Sequence, residues 1–314
     1  MTNSPLIREE TAAHVKRVAE DLHYTASTLG RGLVTGKTAT IGVVVTTIRD
    51  PFIGEVVSGV EDVANEHGYT VLLACSQGDP HREISVIRSL QERRVDGVLV
   101  AASRVDSRYL EQVSAMKVPV VLINRFHPGG LTRSVMIDNV AAATVATRHL
   151  VQLGHRQIGY LGDQFGLQSD TDRFAGYREA LAEADLPFLP ELVSHGDGQP
   201  DGSVKAAHKL LSQRKKPTAI FCYNDMAALG ALQAAASRKL QVPMDLSIVG
   251  FDDLFFAAYT QPPLTTIRQP MRRMGCQAAE ILLKLLAGKP CDGTIAIEGQ
   301  LMVRSSTAPP TARV

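Results

Sequence analysis

From residue 40 onward, short β-branched runs alternate with longer stretches whose apolar residues recur at helical spacing. Ile41–Thr46 (IGVVVT) is apolar without interruption, which predicts a strand buried on both faces. After Asp50-Pro51, the residues Ile53, Val56, Val57, Val60 and Val63 share one helical face, and Gly68 stops the helix. Further strands are predicted at Thr70–Cys75, Gly97–Ala101, Val118–Ile123 and Ser134–Ile137, with helices at His81–Arg93 and Ser107–Met116. The alternation then restarts. Helices are predicted at Asn139–Leu153, Asp170–Ala184, Gly202–Ser212, Met226–Leu240 and Arg268–Ala287. The strands between and after them are Gln157–Gly162, Leu192–His195, Thr218–Cys222, Leu246–Gly250, Thr294–Ile297 and Leu301–Val303. Short polar loops join them, as parallel βαβ units require. The order predicts an α/β fold with two successive doubly wound parallel-sheet lobes.

The first 38 residues read differently. Pro5–Tyr24 is one amphipathic helix, with Ala13, Val15, Val18, Ala19 and Leu22 on its apolar side. Thr25–Lys37 is polar, carries Gly30, Gly32 and Gly36, and holds two isolated leucines, Leu29 and Leu33. A lone helix has nothing of its own to pack on, so this segment reads as an arm or as part of a further domain.

Composition bounds the function. The chain has 314 residues, 45% of them hydrophobic and 21% charged, which fits two ordinary globular domains. Its net charge of +1 offers no overall attraction for nucleic acid, so any DNA contact must be local. No run of about eighteen apolar residues is present, and the N-terminus lacks the features of a signal peptide. Cys75, Cys222, Cys276 and Cys291 are far apart, which reads as reduced thiols of a cytoplasmic protein rather than as a metal or disulfide site.

Enzymatic motifs do not emerge. There is no GxxxxGK[ST], no GxGxxG after the first strand and no G-x-S-x-G elbow. His149 and His155 flank the Leu153-Gly154 helix stop, where they can cap carbonyls or oppose the helix dipole. Asp252-Asp253 ends a strand and is open to several readings: an acid/base pair, a metal site, a turn or a ligand acceptor. The expectation is a protein with no catalytic residues, no cofactor and no metal.

Several stretches together resemble the lactose-repressor (LacI/GalR) family of transcription regulators. They are Thr40–Val45, Asp50-Pro51-Phe52, Arg94-Val95-Asp96-Gly97, Asp138-Asn139 with the helix to His149-Leu150, and Leu153-Gly154-His155-Arg156. Arg173-Phe174-Ala175-Gly176-Tyr177, Asn224-Asp225-Met226-Ala227, Leu246–Asp253 and Pro262–Pro270 complete the series. Each is weak alone, but nine in register over nearly the whole chain are specific. The resemblance implies two lobes of periplasmic-binding-protein type joined by three crossovers, with an effector between them. The expected division is 1–38 for the remnant of a DNA-binding domain and its hinge, 39–138 plus 269–297 for the first lobe, and 139–268 plus 298–314 for the second.

Effector ligands of open α/β sheets lie at the carboxyl ends of strands. The positions matching the family there are Asp50, Phe52, Asn124, Arg173, Asn224, Asp252 and Gln269, with Arg125 beside Asn124. Their chemistry suits a sugar or a similar small polar effector. Asp252 and Asn224 accept, Arg173 and Asn224 donate in planar geometry, and Phe52 offers an apolar face to ring C–H groups. The plainer alternatives are an Arg173–Asp252 ion pair across the lobes and simple core packing for Phe52. Where Asn124 stands the family often has an acidic residue, which leaves the effector's identity open.

Members of the family begin with a helix-turn-helix that reads the major groove. Here those two helices are absent, and what remains resembles the third helix and the hinge. In the family the hinge folds on DNA and wedges a leucine into the minor groove. Leu33 is at the matching position, with Arg31 beside it as a DNA-contacting hinge residue. Gly30 and Gly32 weaken the hinge helix by roughly 1 kcal/mol each. Asn3-Ser4-Pro5 resembles the middle of a domain, so an upstream start is expected, with a truncated sensor as the alternative. The chain alone is expected to bind an operator poorly. The functional expectation is a ligand-responsive regulator, a repressor and a homodimer, with the Val56, Val60 and Val63 helix as a candidate dimer face, although core packing is the plainer reading of most of those residues. The rival readings are a stand-alone solute-binding protein without DNA-binding output and an enzyme on the same scaffold.

Overall fold

The computed structural model describes residues 8–22, 36–103, 118–125, 133–291 and 293–311. The proposed hinge with Leu33 and Arg31, and the helix expected at Ser107–Met116, lie outside the described residues. Helix α1 spans Glu9–Asp21, and its Val15, Val18 and Leu22 are exposed.

The first half of the body runs β1 (Thr40–Val45), α2 (Pro51–Glu66), β2 (Thr70–Cys75), α3 (Pro80–Glu92), β3 (Gly97–Ala101), β4 (Val120–Ile123) and β5 (Arg133–Ile137). The second runs α4 (Asn139–Gln152), β6 (Ile158–Asp163), α5 (Gln168–Glu183), β7 (Val193–Gly196), α6 (Pro200–Leu211), β8 (Ala219–Cys222), α7 (Asp225–Ser237), β9 (Ser247–Asp252) and β10 (Thr265–Arg268). Helix α8 (Met271–Leu286) and strands β11 (Thr294–Ile297) and β12 (Gln300–Met302) complete it.

Two six-stranded sheets result, ordered β2-β1-β3-β4-β5-β11 and β7-β6-β8-β9-β10-β12. Their first five strands are connected alike, and the ladders are parallel except for antiparallel β10–β12. This is the α/β fold of two doubly wound lobes that the alternation predicts. The chain passes between the sheets after β5, after β10 and after β11.

Strand-to-helix turns are fixed by short acceptors. Asp50, Asp79, Asp138 and Asn224 each accept a backbone N–H from the first turn of the helix that follows. Pro51 and Pro80 occupy the first helical position, where a missing N–H costs nothing.

Three sequence expectations need correction. Thr265–Arg268 is a strand, and the helix begins at Met271 with Pro270 as its cap, rather than at Arg268. Four β-branched and polar residues between two proline pairs give too short a run to announce a strand from sequence. Val56, Val60 and Val63 are buried in the chain's own core with Met274, Ala278 and Leu282, so they offer no face to a second copy. His149 and His155 do not cap carbonyls of α4. His149 Nε2 meets Thr307 Oγ1 at 3.0 Å, and His155 bridges Thr218 Oγ1 (2.9 Å), Ser247 Oγ (3.1 Å) and the Ala308 carbonyl (2.9 Å). His149 therefore straps the C-terminal segment onto α4 and His155 straps it onto the second sheet, each to a partner more than 150 residues away in sequence.

Candidate functional site

The carboxyl ends of the two sheets face a shared cavity of about 380 Å³. Asp50, Phe52, Asn124, Arg173, Asn224, Asp252 and Gln269 all line it. Sheet order explains their convergence, because each follows a parallel strand or sits on the helix behind one.

Arg173 anchors the second-lobe wall. It is 2% exposed, and its Nε donates to Asn139 Oδ1 at 2.9 Å while Nη1 donates to the Tyr223 carbonyl at 2.5 Å. Its guanidinium lies 3.6 Å from the centre of the Phe251 ring. Nη1 is 3.8 Å from Asp252 Oδ1. Both residues belong to the second lobe, so the pair does not run across the lobes as the sequence alternative had it. A guanidinium held on three sides is a fixed donor platform rather than a mobile charge.

Asp252 and Asp253 are neighbours with opposite surroundings. Asp252 lines the cavity, is 5% exposed, and accepts from Gln269 Nε2 at 2.5 Å. Burial pushes its carboxyl up to about 7, with Arg173 pulling it down and Asp50 pushing it further up. Asp253 turns away and accepts from Arg268 Nε and Arg304 Nη2, both at 2.6 Å, which closes a turn between β9, β10 and the C-terminal segment. The two carboxylates are not an acid/base pair. Among the described residues, no group of three or more His, Cys, Asp or Glu side chains is placed to hold a metal.

Opposite, Asp50 caps α2 through Phe52 N at 3.0 Å, and burial raises its carboxyl above the usual range. Phe52 both packs in the first-lobe core and lines the cavity. Asn224 is committed internally: Oδ1 accepts from Ala227 N at 2.7 Å and Nδ2 donates to the Gly198 carbonyl at 3.2 Å. Two buried amide oxygens on the wall, Asn124 Oδ1 and Gln269 Oε1, have no hydrogen-bond partner among the described residues. A buried acceptor without a donor is costly unless something else supplies one.

Backbone strain concentrates here. Gln77, Ala102, Asn124 and Asp252 all line the cavity with positive φ (55°, 53°, 57° and 119°). Non-glycine residues occupy that region at a cost, and such residues cluster at ligand sites. Sequence reasoning missed Thr46, Gln77, Asp163, Ser169, Asp197, Gln199 and Tyr223 on the wall. Most of them directly follow a strand's carboxyl end, so applying that rule to every strand would have found them.

Two like-ordered sheets converging on one polar cavity define the periplasmic-binding-protein-like class, and the model of that domain matches residues 147–307. The chain is 36% identical over 284 residues to the HTH-type transcriptional repressor PurR of Aliivibrio salmonicida, covering 90% of this chain and 85% of that one. It superposes on the transcriptional regulator CelR in complex with cellobiose with a TM-score of 0.80, at 29% identity, over 96% of this chain and 92% of that one. A LacI family transcriptional regulator from Enterococcus faecium with bound ribose gives a TM-score of 0.78 at 26% identity, over 86% of this chain and 99% of that one. The chain belongs to the LacI family of ligand-responsive transcriptional repressors. These relatives are transcriptional regulators. Among the described residues, no helix is long and apolar enough to cross a membrane.

Proposed function

We propose that the cavity binds a sugar or a similar small polar effector and that its occupancy controls binding of operator DNA. The observation that carries this reading is the pair of unpartnered amide oxygens, Asn124 Oδ1 and Gln269 Oε1, on a wall that already presents a fixed guanidinium and buried carboxylates. Adjacent hydroxyls, each able to donate and accept, satisfy that mixture. The cellobiose and ribose held by two structural relatives are molecules of this kind.

In this reading Asp50, Phe52 and Asn124 contact the effector from the first lobe, and Arg173 and Asp252 from the second. Asn224 shapes the wall, and Gln269 reports from the crossover between them. The lobes are 39–138 plus 269–297 and 139–268 plus 298–314, and 1–38 carries the hinge, with Leu33 and Arg31 as its DNA contacts. Closing the lobes on an effector changes their relative set, and a coupling of about 1–3 kcal/mol to the DNA site suffices for a useful switch. The working form is a cytoplasmic homodimer.

Thermal-shift and calorimetric titrations against a panel of sugars and nucleosides test the sensor half. Fluorescence anisotropy with the chain's own upstream intergenic DNA tests the output, at several salt concentrations, with and without effector, and beside a version extended by the in-frame upstream codons. Specific binding by the extended version that responds to the effector supports the reading. Binding by both versions that is only salt-sensitive and sequence-independent removes the repressor output.

A further inference from the structure

The charges around the cavity narrow the ligand class further, on the reading that the site takes a polyhydroxy effector. Among the described residues, four aspartates line it, Asp50, Asp163, Asp197 and Asp252, against two guanidiniums, Arg49 and Arg173. The two cations are unequal. Arg173 is already engaged by Asn139, the Tyr223 carbonyl, the Phe251 ring and Asp252. Arg49 is exposed on the turn after β1, where water screens it.

Helix N-termini are the other usual anchor for an anion, and among the described residues those at this cavity are occupied or opposed. The first turn of α2 is capped by Asp50, that of α7 by Asn224. Ahead of α6, Asp197 Oδ1 takes the Gln199 N–H at 3.0 Å. The α5 terminus has no side-chain cap, but it carries Asp170 in its first turn and lies against Asp163.

The unpartnered acceptors point the same way. Gln269 is 2% exposed, and because its Nε2 donates to Asp252, the atom left without a partner is Oε1. Such an acceptor is matched by an O–H or N–H, which a carboxylate or a phosphate dianion does not carry.

We propose that the cleft admits uncharged or amine-bearing polyhydroxy ligands and excludes those carrying a phosphate or carboxylate.

The test is isothermal titration of the full chain with matched sets. These are pentoses, hexoses and disaccharides, each beside its amino, phosphate and carboxylate derivative, with free nucleobases as a separate arm. The expected result is binding by a neutral or amino member, with its phosphate and carboxylate forms weaker by about tenfold or more. Asp197→Asn is expected to narrow that gap. A phosphate or carboxylate form that binds as tightly as its parent overturns the charge rule and leaves the sugar reading standing. Binding by nucleobases alone, or by no member of any set, overturns the polyhydroxy reading and the charge rule with it.

Discussion

Gln269 holds Asp252 twice: its backbone N–H donates to the Asp252 carbonyl at 3.1 Å, and its side-chain Nε2 donates to Asp252 Oδ1 at 2.5 Å. Gln269 is the first residue after β10, on the strand that crosses back to the first sheet. The crossover is thereby fastened to a carboxylate of the cleft. A ligand that draws on Asp252 acts directly on the segment joining the lobes.

Asp252→Asn is expected to weaken effector binding by at least about tenfold, measured by calorimetry. It should also change the pH response. The wild-type carboxyl titrates at about 7, so affinity for a hydroxyl-donating ligand rises as pH increases through neutrality, whereas the asparagine variant loses that dependence. In the ligand-free protein the folded state keeps a proton on Asp252 that the unfolded chain has released. Its contribution to stability therefore falls as pH rises from about 4 to about 7. Burial raises Asp225 and Asp50 with the same sign. Burial lowers His149 and His155, which instead costs stability as pH falls below their ordinary range. The difference between wild-type and Asp252→Asn melting temperatures across pH isolates the one group.

Asp253→Asn should behave otherwise. Losing the carboxylate that Arg268 and Arg304 share is expected to cost about 1–3 kcal/mol in urea unfolding while ligand affinity stays close to wild type.

Arg173→Lys keeps the charge but cannot reach Asn139, Tyr223 and the Phe251 face together. Effector affinity is expected to fall steeply, with a stability loss of about 1–3 kcal/mol. Arg173→Ala with undiminished affinity would remove this residue from the site.

Helices α2 and α8 cross at Gly59 and Gly275. A Cβ on Gly59 would collide with the Arg272 carbonyl, and one on Gly275 with the Val56 carbonyl. Because the obstacle is backbone, neither Gly59→Ala nor Gly275→Ala can be relieved by a rotamer change. Each should cost about 1–3 kcal/mol in denaturant unfolding.

His155→Ala leaves Thr218, Ser247 and the Ala308 carbonyl without their shared partner. Amide exchange in residues 304–311 is expected to speed up more than in β6 or β8.

Much of this was legible in the sequence. Continuous apolar runs such as Ile41–Val45 announce buried parallel strands, and the strand-end rule with the family resemblance singles out seven dispersed residues that line one cavity. What was hidden depends on partners far along the chain. Nothing near His155 signals Ala308, and nothing in Asp252-Asp253 shows that the two side chains part company. Asn224 has the composition of a ligand contact, yet both its polar atoms are spent on Ala227 and Gly198. Local composition sets what a side chain can bond to, whereas the tertiary fold decides which bond it makes.

The three passages between the sheets also constrain how the molecule is made. The first-sheet core includes Met274, Ala278, Ala279 and Leu282 of α8 and Ile297 of β11, none of which exists until synthesis is almost finished. The buried core of the second lobe draws on residues from Ile137 to Ile267 alone. A growing polypeptide leaving the ribosome thus holds the whole fully buried apolar core of its second lobe before it holds that of its first. The lobe whose strands are made first must wait for α8 and β11 before its apolar core is whole.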